Sequence, residues 1–252
     1  MKMKISIPGI IGAATLASAA LLASMPATVR AASENAGRNQ PSADQPFTMD
    51  SVATFEYPWA IAFLPDGRLL VTEKPGKLFI TTQKGEKKEV AGIPKVYYSG
   101  QNGLLDVAVS PAFSRDHSIY LTFVEPGRGG GALALARAQL RESGGAASLA
   151  NLAIIWRQNR FSSRGQPGGI IAFPPDGRHL FLTTGDRQQP QTAQDPDLAQ
   201  GKVLRLNLDG STPKDNPMAG QGGVKAQTWT TGHRNPYGLA FAPDGRLWLD
   251  EM

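Results

Sequence analysis

From about residue 57 onward, the chain alternates short apolar runs with Pro-Asp-Gly turns. Trp59–Phe63 (WAIAF), a turn at Leu64–Gly67 (LPDG) and Arg68–Thr72 (RLLVT) read as strand, turn, strand. The unit returns as Gly169–Phe173, Pro174–Gly177 and Arg178–Thr184, and again as Gly238–Phe241, Ala242–Gly245 and Arg246–Leu249. A degenerate copy, Asp106–Pro111 then Ser118–Thr122, falls between the first two. With Phe63, Val109, Phe173 and Phe241 as equivalent points, the steps are 46, 64 and 68 residues.

The runs are β-branched or aromatic and bounded by Pro and Gly, a poor match to a helical solenoid. Repeats of roughly 40–50 residues with about four strands each indicate a β-propeller, the longer steps holding loop insertions. Further strands are expected at Lys77–Thr82, Ala132–Leu140, Leu152–Trp156, Lys202–Leu208 and Gln227–Thr231. Lys84–Glu89 reads as a solvated hairpin tip, and Trp59, Trp156, Trp229 and Trp248 as packing between blades. The expected fold is all-β, with about three and a half blades over residues 51–252. An open ring leaves strand edges unpaired, so an incomplete molecule or a marginally stable arc is expected.

The N-terminus has a different pattern. Lys2 and Lys4 precede an apolar run, Ile5–Met25, and Val29-Arg30-Ala31 supplies a cleavage site. Residues 1–31 therefore read as a secretory signal peptide, with an uncleaved anchor as the alternative, and residues 32–50 as a flexible polar leader. Removing residues 1–31 takes away Lys2, Lys4 and Arg30 and no acidic residue, so the formal charge falls from +5 to +2. That leaves little support for nucleic-acid binding. No other segment is apolar enough to span a membrane, and a periplasmic or secreted location follows. The chain has no Cys, which excludes disulfides, thiolate metal sites and Cys nucleophiles. There is no GxSxG elbow, and Gly127–Gly131 lacks the spacing of a phosphate-binding loop.

Four motifs, in order, give the chain a family resemblance: GQNGLLDVAVSP at Gly100–Pro111, GGIIAFPPDGRHLFLTTGD at Gly168–Asp186, GKVLRLNLDGSTPKDNP at Gly201–Pro217 and GHRNPYGLAF at Gly232–Phe241. Together they resemble the soluble periplasmic aldose dehydrogenases that use pyrroloquinoline quinone (PQQ), the glucose/sorbosone dehydrogenase family. The resemblance implies a six-bladed propeller with PQQ on its top face, bound Ca²⁺, an aldose substrate oxidised at C1 to its lactone, and a soluble electron acceptor. It places Gln101 near sugar and cofactor, and Arg234 and Asn235 against the quinone. Asp186 matches the aspartate that orients the family's catalytic histidine, and Gln166 stands where that histidine is expected. A glutamine amide can hydrogen-bond a sugar hydroxyl but is no base near neutral pH.

Residue by residue, blander roles stand beside these. Arg234 could pair with a neighbouring carboxylate, and Asp186 could be an ordinary turn residue. His117 and His179 read as solvated, while His233 lies closer to the expected pocket. Asp195, Asp197 and Asp215 read as loop residues, and Glu251 as one edge of the family's calcium region, leaving the metal ligands unassigned. The alternative functions are a non-catalytic propeller that binds carbohydrate or a partner protein, and a propeller lactonase, for which no acidic metal site is visible.

Overall fold

The computed structural model describes residues 50–252; the signal-peptide reading, and all but the last residue of the leader, lie outside them. Ser51–Met252 form one compact unit. Three four-stranded antiparallel blades follow one another, then a two-stranded hairpin. Blade 1 comprises β1 (Pro58–Phe63), β2 (Leu69–Glu73), β3 (Lys77–Thr81) and β4 (Lys87–Ala91). Blade 2 comprises β5 (Leu104–Val109), β6 (Ser118–Gly127), β7 (Gly130–Ser143) and β8 (Ala146–Arg157). Blade 3 comprises β9 (Gly168–Ala172), β10 (His179–Thr184), β11 (Lys202–Asn207) and β12 (Thr228–Thr231). The hairpin is β13 (Pro236–Phe241) and β14 (Leu247–Glu251). The first strands of successive blades, β1, β5, β9 and β13, are neighbours in space, so the chain is a β-propeller of three and a half blades.

The Pro-Asp-Gly-Arg turns are self-contained. Gly67, Gly177 and Gly245 have φ of 84°, 61° and 85°, the left-handed region that glycine enters without strain. In each turn the aspartate (Asp66, Asp176, Asp244) accepts from the backbone N–H of the following arginine at 3.0, 3.1 and 3.1 Å. The same carboxylate pairs with that arginine's Nε at 2.9, 2.9 and 2.7 Å. A four-residue word therefore fixes its own hairpin.

Strand alternation sends successive side chains to opposite neighbours. Leu104 and Leu121 join the apolar layer between blades 1 and 2, whereas Leu105 and Tyr120 join the layer between blades 2 and 3. Leu180 and Leu182 face blade 2, and Phe181 faces the hairpin.

One buried threonine per blade stitches these layers. Thr72, Thr122 and Thr183 occupy the same place on the second strand, and none is exposed to solvent. Their hydroxyls accept from the inner-strand N–H groups of Ala60, Asp106 and Ile170 at 3.0, 2.9 and 2.9 Å. They donate to the inner strand of the next blade, at the carbonyls of Leu105, Gly169 and Pro236, at 2.7, 2.5 and 3.1 Å. The pairing of each inner strand with the second shifts register near this point, freeing the N–H that the hydroxyl caps.

Some elements depart from the sequence reading. Lys87–Ala91 is the outer strand of blade 1 rather than part of a hairpin tip, and it joins blade 2 through parallel pairing of Val90 with Ala147. Strands β7 and β8 extend to Gly130–Ser143 and Ala146–Arg157, beyond the apolar cores that mark them in the sequence. Gln227 ends a helical turn, and the strand begins at Thr228. Trp59 and Trp156 are packed between elements, but Trp229 and Trp248 are exposed. Trp248 has the guanidinium of Arg246 over its ring at 5.9 Å. No helix among the described residues is long and apolar enough to cross a membrane.

Candidate active site

A cavity of about 420 Å³ opens at the ends of the inner strands of blade 3 and the hairpin. One wall is Pro190, Ala193 and Gln194, part of a 3-10 turn at Pro190–Gln194. The facing wall is Gly232, His233 and Arg234, the segment leading into β13. Gln166, Asp186 and Gln188 complete the lining. Three of the five residues singled out in the sequence, Gln166, Asp186 and Arg234, therefore meet at one cavity.

The other two stand behind it. The Gln101 side-chain oxygen accepts from the Gln166 backbone N–H at 2.7 Å. Asn235 is fully buried, and its side-chain oxygen accepts from Gly168 N–H at 3.2 Å. The Asn235 amide nitrogen has no hydrogen-bond partner among the described residues. Both residues fix the backbone that presents Gln166 rather than line the cavity.

Gln166 and Asp186 are 5 % and 3 % exposed. The side-chain oxygens of both accept from Gln188 N–H, at 3.1 and 2.7 Å respectively. Asp186 N–H donates to the Arg234 carbonyl at 2.8 Å, joining the end of β10 to the far wall. Gly185 is needed here, because a Cβ would collide with the Gln166 carbonyl. Gln166, Arg187 and Gln188 all have positive φ (55°, 59° and 58°). Such strain in non-glycine residues persists where surrounding contacts over-determine it, often at functional sites.

Arg187 supplies those contacts and was not singled out in the sequence. Its guanidinium is fully buried and donates to the Asn102 side-chain oxygen at 2.7 Å and to the carbonyls of Ser162 and Gly131 at 3.0 and 3.3 Å. It thereby ties the loop bearing Gln101 to the loop bearing Gln166. Burial pushes its pKa down to about 10. A second buried cation, Lys202, lies behind the opposite wall. A basic residue beside Asp186 suggests a solvated turn; its burial depends on two loops distant in sequence.

On the far wall, the Arg234 side chain is exposed and its backbone N–H donates to Glu251 at 3.0 Å. His233 sits between Glu251, 3.6 Å from Nδ1, and Thr230, whose hydroxyl is 2.7 Å from Nε2. His117 and His179 lie elsewhere, on a turn against Phe113 and beside Arg205. Asp215 pairs with Arg205 and Asp197 with Lys225.

The fold and site define a propeller with an amide-lined, cation-backed cavity at the ends of its inner strands. The chain belongs to the Glucose / Sorbosone dehydrogenase family, whose profile matches residues 55–252. It is 38 % identical over 200 residues to the aldose sugar dehydrogenase YliI of Escherichia coli (strain K12), covering 78 % of this chain and 53 % of that one. It is 32 % identical over 237 residues to quinoprotein glucose dehydrogenase B of Acinetobacter calcoaceticus, covering 77 % and 46 %. The PQQ-bound aldose sugar dehydrogenase of Streptomyces coelicolor superposes with a TM-score of 0.69 at 31 % identity, over 81 % of this chain and 59 % of that one. The chain thus spans about half the length of these curated relatives.

Proposed function

We propose that the protein takes part in PQQ-dependent oxidation of aldose sugars at C1 to lactones, with electrons passed to a soluble external acceptor, in the periplasm or outside the cell. The observation behind this reading is the convergence of Gln166, Asp186 and Arg234 on one cavity. The donor set suits a tricarboxylated ortho-quinone: Arg234 offers a guanidinium fork to carboxylate or carbonyl oxygens, the amides of Gln166, Gln188 and Gln194 line the cavity, and two cations lie behind it.

PQQ, when bound, supplies the two-electron acceptor for the hydride leaving C1. This chain's residues have to orient the sugar and accept the proton of its anomeric hydroxyl. Gln101 and Arg187 hold the Gln166 backbone, so that the Gln166 amide can hydrogen-bond a sugar hydroxyl. Gln166 cannot take the proton; among the residues lining the cavity, Asp186 and His233 can. General-base catalysis contributes ~10²–10⁴-fold, so a glutamine here limits the rate. For calcium, no group of three or more His, Cys, Asp or Glu side chains converges among the described residues, and no residue is assigned to it.

Turnover of an aldose deuterated at C1, followed by dye reduction with PQQ present, tests this reading. Oxidation with a clear isotope effect and a lactone product is expected. Tight quinone or sugar binding without turnover would favour the second reading, a non-catalytic carbohydrate- or protein-binding propeller, for which Gln166 is the specific support.

A further inference from the structure

Lys202 opens β11, is fully buried, and points its ammonium into three backbone carbonyls. Nζ lies 3.2 Å from Thr192 O, 2.8 Å from Ala193 O and 2.8 Å from Gln200 O. No carboxylate is among these partners. Ala193 lines the cavity, and its carbonyl also accepts from Gly232 N–H at 3.0 Å and the Thr231 hydroxyl at 2.5 Å. The preceding residue completes the seam: His233 N–H donates to Gly201 O at 3.1 Å, and a Cβ at Gly201 would collide with Ala193 and with the His233 carbonyl. One carbonyl therefore joins a buried charge to both cavity walls.

A neutral side chain could have packed here, yet the chain buries a charge, which is costly unless the charge is compensated. Three carbonyl dipoles compensate it in part, and a net positive charge remains one peptide group behind the cavity surface. Arg187 stands behind the cavity as a second such charge. We propose that Lys202 is a positioning residue that clasps the two walls together and whose charge selects a polyanionic ligand, the tricarboxylate quinone of the function proposed above. The inference rests on that reading.

The charged and titratable groups around it are Asp195 on the same loop, which acts on Lys202 through space, Asp186 and Arg187 at the end of β10, and His233, Arg234 and Glu251 on the far side. Burial pushes the Lys202 pKa down to about 8. An unfolded lysine keeps its proton to about 10.4, so this group's contribution to folding stability rises with pH across that window. Anion affinity moves the opposite way, because the ammonium discharges. A purely structural lysine would not separate the two.

The test is a titration of the full chain and its Lys202→Met variant with PQQ, followed by quinone absorbance at several salt concentrations, alongside ligand-free melting. The variant should fold and bind PQQ at least ~10-fold more weakly, with a shallower salt dependence. Binding within twofold of the unaltered chain overturns the inference while leaving the function reading intact. If the variant does not fold, the unaltered chain decides: its PQQ affinity should fall about 10-fold between pH 7 and pH 9.5, with ligand-free melting showing it still folded. A flat affinity profile overturns the inference. An unaltered chain that binds no PQQ at pH 7 overturns the function reading and the inference together.

Discussion

The Thr122 hydroxyl of blade 2 lies 2.5 Å from the Gly169 carbonyl of blade 3, while accepting from Asp106 N–H at 2.9 Å. One side chain thus closes the register shift in its own blade and bonds to the next. Gly169 lies three residues past Gln166, so the same stitch anchors the loop that bears the candidate site.

Thr122→Val keeps the shape but leaves a buried N–H and a buried carbonyl unpaired. A loss of about 2 kcal/mol or more is expected, read as a lower urea midpoint with unchanged slope. An unchanged midpoint would remove the stitch from the account.

Gln166→His should raise PQQ-dependent aldose oxidation by about tenfold or more. Histidine tolerates positive φ better than most residues, and Gln166 sits at φ 55°. The gain should titrate with a pKa near 6.5, the signature of an imidazole base. No gain in a variant that still binds quinone would show that the base position is not limiting.

Arg187→Met removes the guanidinium that joins the Gln101 and Gln166 loops, leaves the Asn102 side-chain oxygen without its donor and leaves the Ser162 carbonyl only the Gly131 N–H. A loss of about 3 kcal/mol or more is expected. Hydrogen exchange should quicken around residues 99–102 and 162–168 before the outer strands of blade 1. Uniform exchange with native stability would contradict the positioning role.

Asp106, on β5, reaches the inner strand of blade 3, accepting from Ile171 N–H at 2.8 Å, and also accepts from Val107 N–H at 2.9 Å. Burial nonetheless pushes its carboxyl up to about 7. A raised carboxyl pKa favours the protonated form in the fold, so this contribution is full below about 3.8 and is lost as pH rises towards 7. The melting temperature of Asp106→Asn relative to the unaltered chain should therefore climb from about pH 4 to pH 8. A constant difference would mean that Asp106 titrates normally.

The blades were legible because each Pro-Asp-Gly-Arg turn fixes its hairpin through local bonds. The strand β4 was not, because Lys, Glu and Val on an outer edge carry the composition of a solvated turn. The repeated threonine was in plain view on each second strand, but threonine favours strands for other reasons, and only the register shifts reveal its bonding. At the site, motif resemblance found Gln166, Asp186 and Arg234. Arg187 and Lys202 read as solvated because they are basic; Arg187 is buried by contacts with Asn102, Gly131 and Ser162, distant in sequence, and Lys202 by the carbonyls of Thr192, Ala193 and Gln200 in the loop that folds over it.

The most direct test of the central claim is a titration of the purified chain with PQQ, monitored by quinone absorbance and thermal melting. Saturable binding that raises the melting temperature is predicted, and Arg234→Ala should weaken it at least tenfold. A folded chain that shows neither an absorbance change nor stabilisation would contradict the assignment of this cavity to the quinone.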